Sequence, residues 1–212
     1  MRRTVPLLVA AAASLIAVLL AATGCGDGPS NTNSSGSGEK SFTKADAVTI
    51  AGKQYSATMK TSKGDIVVEL FADKAPQTVN SFVFLAKKGF FDGLAFHRVV
   101  KGFVIQTGDP TGSGSGGPGY STKDEPNQLS NERGTLAMAK VSGATEFGSQ
   151  FFINLTNNTA LDYNNPTPNK FYPFGKVTSG MDVVDAIANV PVDAGGKPTT
   201  PVTITSVTIT EE

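Results

Sequence analysis

Tryptophan is absent from the 212 residues, and cysteine and histidine occur once each, as Cys25 and His97. A lone cysteine excludes an internal disulfide, and a lone histidine excludes a His-clustered metal site. No acidic run has calcium-loop spacing, so neither metal nor cofactor is expected. An excess of either charge is also lacking: 18 Lys+Arg stand against 18 Asp+Glu. Such a chain offers no basic face to nucleic acid, and no nucleic-acid partner is expected.

What is present is unevenly distributed. Met1-Arg2-Arg3 is followed by an apolar run from Leu7 to Ala22, then Thr23-Gly24-Cys25. A basic start, an apolar stretch and small residues before a cleavage point describe a secretory signal. The run is about 16 residues, short for a membrane span of roughly 20; an uncleaved anchor helix is the alternative. Ala22-Thr23-Gly24-Cys25 resembles a bacterial lipoprotein cleavage box, with Ala22 where Leu is usual. Residues 1–24 therefore read as a lipoprotein-type signal peptide, and Cys25 as the lipidated N-terminus. Two acyl chains on Cys25 suffice for stable anchoring in a lipid bilayer. The expected place is the extracytoplasmic side of a bacterial cell envelope. Residues 25–45, rich in Gly, Ser, Asn and Thr, read as a flexible tether.

Residues 46–212 are one domain's worth of chain. Ile66, Val68 and Leu70 alternate with Asp65, Val67 and Glu69, which predicts a strand. Val202–Thr210 is β-branched nearly throughout and predicts another. Further strands are expected over Tyr55–Lys60, Ala95–Val100, Phe103–Thr107, Thr135–Ala139, Phe151–Leu155 and Phe174–Val177. Two segments have helical spacing. Pro76–Lys88 places Val79, Phe82, Val83 and Ala86 on one stripe, with Pro first and Gly89 just past the end. Met181–Asn189 follows Ser179, with Asp182 three residues on, like a capping box. Many strands and two isolated helices fit a mainly β fold, a closed antiparallel barrel whose ends are plugged by helices.

Arg98 and Gln106 are awkward in strand-like, apolar surroundings. Pattern alone allows them to be rim residues or site residues. Gly112-Ser113-Gly114-Ser115-Gly116-Gly117 has GxGxxG spacing, yet Pro118-Gly119 follows where a phosphate-binding fingerprint must open a helix. His97 reads as a satisfied core residue.

Three ordered blocks carry a resemblance. The first is Phe96-His97-Arg98-Val99-Val100-Lys101-Gly102-Phe103-Val104-Ile105-Gln106-Thr107-Gly108-Asp109. The second joins Gly134-Thr135-Leu136-Ala137-Met138-Ala139 to Gly148-Ser149-Gln150-Phe151-Phe152-Ile153, and the third is Phe174-Gly175-Lys176-Val177 with Gly180-Met181-Asp182-Val183-Val184. Together they resemble the cyclophilins, peptidyl-prolyl cis-trans isomerases, and the resemblance implies a closed eight-stranded antiparallel β-barrel capped by two α-helices. The resemblance implies binding of proline-containing polypeptides, and a monomer is expected. It makes Arg98 the catalytic arginine, with Phe103 and Gln106 beside it. Val104, Phe152 and Leu161 would line the proline pocket, and Gln150 would hydrogen-bond the substrate backbone. Ala139 and the Lys140 backbone would form the rim beside the residue before proline. Phe171 falls where many members carry His or Tyr. Ala160 stands where many have Trp, which implies weak binding of cyclosporin-like macrocycles. The loop 162–170 is longer than in compact members.

The N-terminal reading has a direct test. Cys25→Ser is expected to move the protein out of the membrane fraction or leave it uncleaved; unchanged fractionation together with unchanged mass refutes lipidation.

Overall fold

The computed structural model describes residues 40–212, so the signal peptide, Cys25 and most of the tether lie outside the described residues. Alternate burial defines the first two strands. Tyr55, Ala57, Met59 and Thr61 face inward on β1 (Tyr55–Thr61), and Ile66, Val68 and Leu70 do so on β2 (Gly64–Leu70). Helix α1 (Pro76–Lys87) follows, starting with a proline whose missing N–H would have had no partner in the first turn anyway. Then come β3 (Arg98–Val100), β4 (Val104–Thr107), β5 (Thr122–Lys123), β6 (Thr135–Met138), β7 (Glu146–Phe147) and β8 (Phe151–Asn154). A 3₁₀ turn over Thr159–Leu161, β9 (Pro173–Ser179), α2 (Met181–Ala188) and β10 (Ile204–Glu211) complete the chain. The two-residue strands β5 and β7, which pair only with each other, have no readable periodicity and were not expected.

Eight strands form one antiparallel sheet in the order β10-β1-β2-β9-β6-β8-β4-β3. The expected closed barrel is corrected to an open half-barrel, because β3 and β10 do not pair as strands. The gap is spanned by Phe96 N–H donating to Val202 O, Gly93 N–H to Ile204 O, Ile204 N–H to Leu94 O, and the isolated bridge Ala95–Thr203. Pro201 has no N–H to extend a ladder further on that side. The strand expected from Ala95 accordingly begins only at Arg98.

The concave face is filled by aromatic rings. Phe82 of α1 stacks on Phe91 at 5.0 Å and meets Phe151 edge-on at 5.5 Å. Offset and edge-on pairs of this kind add about 0.5–1.5 kcal/mol beyond area burial. All four residues of β6 and of β8 are buried, although successive side chains on a strand point to opposite faces. Leu136, Met138, Phe151 and Ile153 join the main core, while Ala137 and Phe152 join Val104 in a small second cluster on the other face. That second cluster is the floor of the site.

Two local expectations change. Ser179 does not cap α2: the N-cap is Gly180 at φ 88°, where any Cβ would come within 2.3 Å of Asp65 O. The tether, expected to run to residue 45, ends earlier. The Lys40 ammonium donates to Asp92 O at 2.8 Å and also to Phe90 O, and Phe42 lies edge-on to Phe84 at 5.1 Å. The Asn80 side chain then accepts from the amides of Val48 and Thr49.

The start of α1 is capped from a distance. Ala75 has no side chain to cap with, and the Glu125 carboxylate instead accepts from Gln77 N at 3.0 Å, Thr78 N at 2.7 Å and Thr78 Oγ1 at 2.7 Å. A carboxylate there also meets the positive end of the helix dipole. Glu125→Ala is expected to cost about 1–2 kcal/mol of unfolding free energy. Urea denaturation with an unchanged m-value checks this; an unchanged midpoint contradicts the capping role.

Candidate active site

Strand register builds the site. Arg98 on β3 pairs with Gln106 on β4, Gln106 with Phe152 on β8, and Phe152 with Ala137 on β6. Residues directly opposite one another across a ladder share a face. One row across four strands therefore carries a cation, an amide, an aromatic ring and a methyl group, all on the face away from the main core. Val104, two residues before Gln106, joins them by the period of two.

This face opens into a groove of about 610 Å³. Of the residues singled out from sequence, Arg98, Phe103, Val104, Gln106, Ala139, Lys140, Gln150, Phe152, Leu161 and Phe171 all line it. Ala160 does not: it is exposed on the 3₁₀ turn, and its carbonyl accepts from the Asn165 side chain. Val141, Ser142 and Asn169 line the groove without having been expected there. Ser142 Oγ donates to the Asn169 side chain and ties the rim to the long 162–170 loop. Only tertiary contact places these residues, so no sequence pattern could have found them.

A hydrogen-bond chain runs along the row. Arg98 Nη1 donates to Gln106 Oε1 at 3.4 Å, Gln106 Nε2 to Gln150 Oε1 at 3.0 Å, and Gln150 Nε2 to Gly116 O at 2.8 Å. No carboxylate pairs with Arg98 among the described residues. Its guanidinium therefore remains half-buried and free to meet a ligand.

The far end of the chain rests on Asp109, which is 1% exposed. The glycine-rich loop wraps this carboxylate. Thr111 N and Oγ1 donate to Oδ1 at 2.7 and 2.8 Å, and Gly114 N to Oδ2 at 2.5 Å. A Cβ on Gly116 would fall 2.1 Å from Oδ1. Burial pushes the Asp109 pKa up, but the amide and hydroxyl donors of Thr111, Gly116 and Gly114 outweigh it and hold it at about 2. The GxGxxG spacing thus cradles an anion after all, the chain's own.

His97 is buried, at 7% exposed, but it is not satisfied as expected: neither ring nitrogen has a hydrogen-bond partner among the described residues. The Gln150 amide approaches the ring without hydrogen-bond geometry. Burial lowers the His97 pKa, with Asp109 opposing, so the ring is neutral. Ser149, buried with its hydroxyl donating to Gly108 O at 2.6 Å, is structural. The Lys140 side chain, expected to contribute only backbone, is ion-paired to Asp124 and lies over the rings of Phe171 and Tyr172.

Comparison with known proteins agrees with this geometry. The family model for cyclophilin type peptidyl-prolyl cis-trans isomerases matches residues 56–209. The chain is 47% identical over 139 residues to a peptidyl-prolyl cis-trans isomerase of Helicobacter pylori, covering 64% of this chain and 81% of that protein. It is 41% identical over 173 residues to the probable peptidyl-prolyl cis-trans isomerase A of Mycobacterium leprae, covering 73% and 91%. It also matches 24% of the longer isomerase cyp15 of Rhizopus delemar, at 43% identity over 159 residues and 73% of this chain. A cyclophilin type isomerase of Cryptosporidium parvum, crystallised in the presence of the dipeptide Ala-Pro, superposes with a TM-score of 0.68 at 33% identity, covering 73% of this chain and 98% of that one. The chain belongs to the cyclophilin-type peptidyl-prolyl cis-trans isomerases.

The Asp109 cradle makes a pH prediction. A carboxyl held below its unfolded pKa of 3.8 contributes stability above that pH and loses it as pH falls towards 2. Asp109→Asn is expected to be less stable than wild type by on the order of 1–2 kcal/mol at pH 7, with the difference gone near pH 2. Denaturant titrations across that range check it; a pH-independent gap contradicts the assignment.

Proposed function

We propose that the protein accelerates X-Pro bond rotation in exported polypeptides while tethered to a membrane through lipidated Cys25. The isomerase reading rests on Arg98, without a carboxylate partner among the described residues and hydrogen-bonded to Gln106, facing the apolar floor of Val104 and Phe152. The tether rests on the signal-like N-terminus and the Cys25 box.

The reaction asks little of acid–base chemistry. Rotation about the peptide bond costs about 18–20 kcal/mol because it breaks amide resonance. For X-Pro the cis and trans forms differ by only about 0.5–1 kcal/mol, yet exchange takes tens of seconds or longer. No bond is made or broken, so no nucleophile is needed. In the twisted state the proline nitrogen is pyramidal and its lone pair is free. A fixed guanidinium near that nitrogen favours the twisted state over either planar form, which is how a binding interaction becomes a rate enhancement. The floor of Phe103, Val104, Phe152 and Leu161 holds the proline ring, and Gln106 and Gln150 orient the guanidinium and the substrate backbone. A planar fork with several donors can bond Gln106 and substrate together, which a lysine cannot.

The alternative, a module that captures Pro-containing segments without useful turnover, predicts a different response to mutation. Arg98→Ala is expected to lower kcat/KM on a proline tetrapeptide by about 100-fold or more, while peptide binding persists. Equal rates for wild type and Arg98→Ala remove the catalytic assignment and leave the binding module.

A further inference from the structure

Two cations line the groove, and the fold treats them in opposite ways. Arg98 has no acidic partner among the described residues. Lys140 lines the same groove, yet its ammonium lies in a crevice shared with Asp124, Glu125 and Tyr172. There it is ion-paired to Asp124, with only 5% of the Lys140 side chain and 14% of the Asp124 side chain exposed. The ammonium lies 5.5 Å from the Phe171 ring centroid and 5.3 Å from that of Tyr172. The Phe171 ring in turn meets Phe152 edge-on at 5.5 Å, on the groove floor. Glu125, the other acid in the crevice, is already engaged by the start of α1. Asp124 is therefore the carboxylate that holds the lysine.

The pair costs desolvation on both sides and is weak support for stability. Its position gives it another consequence. A lysine stem is long and flexible, and an ammonium that loses its buried partner turns towards water. From residue 140 that means the groove beside Ala139. We propose that Asp124 is a specificity-determining residue: it keeps the Lys140 charge out of the groove, so that the subsite beside Ala139 accepts apolar residues before proline and gives acidic ones no ion pair. This rests on the isomerase reading above, with Ala139 beside the residue that precedes proline.

The test compares kcat/KM for two tetrapeptides that differ only in Leu or Glu before Pro, at low salt. Wild type is expected to favour Leu. Asp124→Asn is expected to shift the ratio towards Glu by about three- to fivefold, the size of an exposed ion pair. The shift is expected to fade in about 0.5 M salt and to vanish in Asp124→Asn/Lys140→Met. An unchanged ratio in Asp124→Asn, or a shift that survives in the double variant, overturns the proposal. If Asp124→Asn does not fold, Lys140→Met alone decides: its Leu-to-Glu ratio is expected to equal that of wild type, and a selective loss on the Glu peptide means the ammonium already faces substrate. Absence of turnover on either peptide by wild type is a separate outcome, and it removes the isomerase reading itself.

Discussion

The groove depends on one side chain, the amide of Gln150. It accepts from Gln106 with its oxygen and donates to Gly116 with its nitrogen, while its backbone carbonyl accepts from Ala139 N at 2.8 Å. One residue thus joins Gln106 of β4, the glycine-rich loop and the rim. The orientation is polarised throughout. Gln106 must present its oxygen to Arg98, so its nitrogen faces Gln150; Gln150 must then offer oxygen, so its own nitrogen needs a carbonyl. Gly116 O supplies that carbonyl only because the loop is wound around Asp109. A guanidinium with no salt-bridge partner among the described residues is held in place by a buried carboxylate at the other end of a relay of amides.

The way the two cations are handled follows from the same economy of charge. On the proposed mechanism a free guanidinium is useful because the twisted amide develops a lone pair, which any nearby carboxylate would compete with for the donors. A second free cation at the rim would instead attract acidic segments irrespective of proline. Lys140 is accordingly withdrawn into a buried pair and under two rings. The Tyr172 phenol beside it is held above its ordinary pKa, first by burial and then by Asp124.

Legibility from sequence divides along a physical line. Long elements could be read where residue type carries the pattern: β2 and α1 lie where their periods of two and 3.6 put them, and β10 lies on the β-branched run, beginning at Ile204 rather than Val202. Arg98, Gln106, Phe152 and Val104 were legible as a group through ordered motifs, and register explains why the motif has that form. Features made by contact between distant segments were not legible. The carboxylate that caps α1 comes from Glu125, 47 residues beyond Thr78. The cap of α2 is Gly180, because the Asp65 carbonyl leaves no space for a side chain, and Ser179 beside it gives no hint of that. The engaged state of Lys140 depends on Asp124, 16 residues earlier in an irregular loop.

The failure to close the barrel belongs to the same logic and bears on the site. A fully laddered closure would need strand geometry from Ala95 onward, which would put His97 and Arg98 on opposite faces of a longer, flatter strand. In the observed fold the chain crosses the gap with isolated hydrogen bonds, and His97 is buried beside Asp109 and Gln150 without pairing to either. Only three residues, Arg98–Val100, then pair with β4 before the chain turns at Gly102, whose φ of 73° favours glycine. The result is an edge strand one row deep, with Arg98 in that row and no further strand beyond it in the sheet. That edge is not bare: Val99 N–H donates to Gly196 O at 2.7 Å, so the turn closed by the Val192–Pro198 bridge covers it, and the row stays accessible only from the groove face.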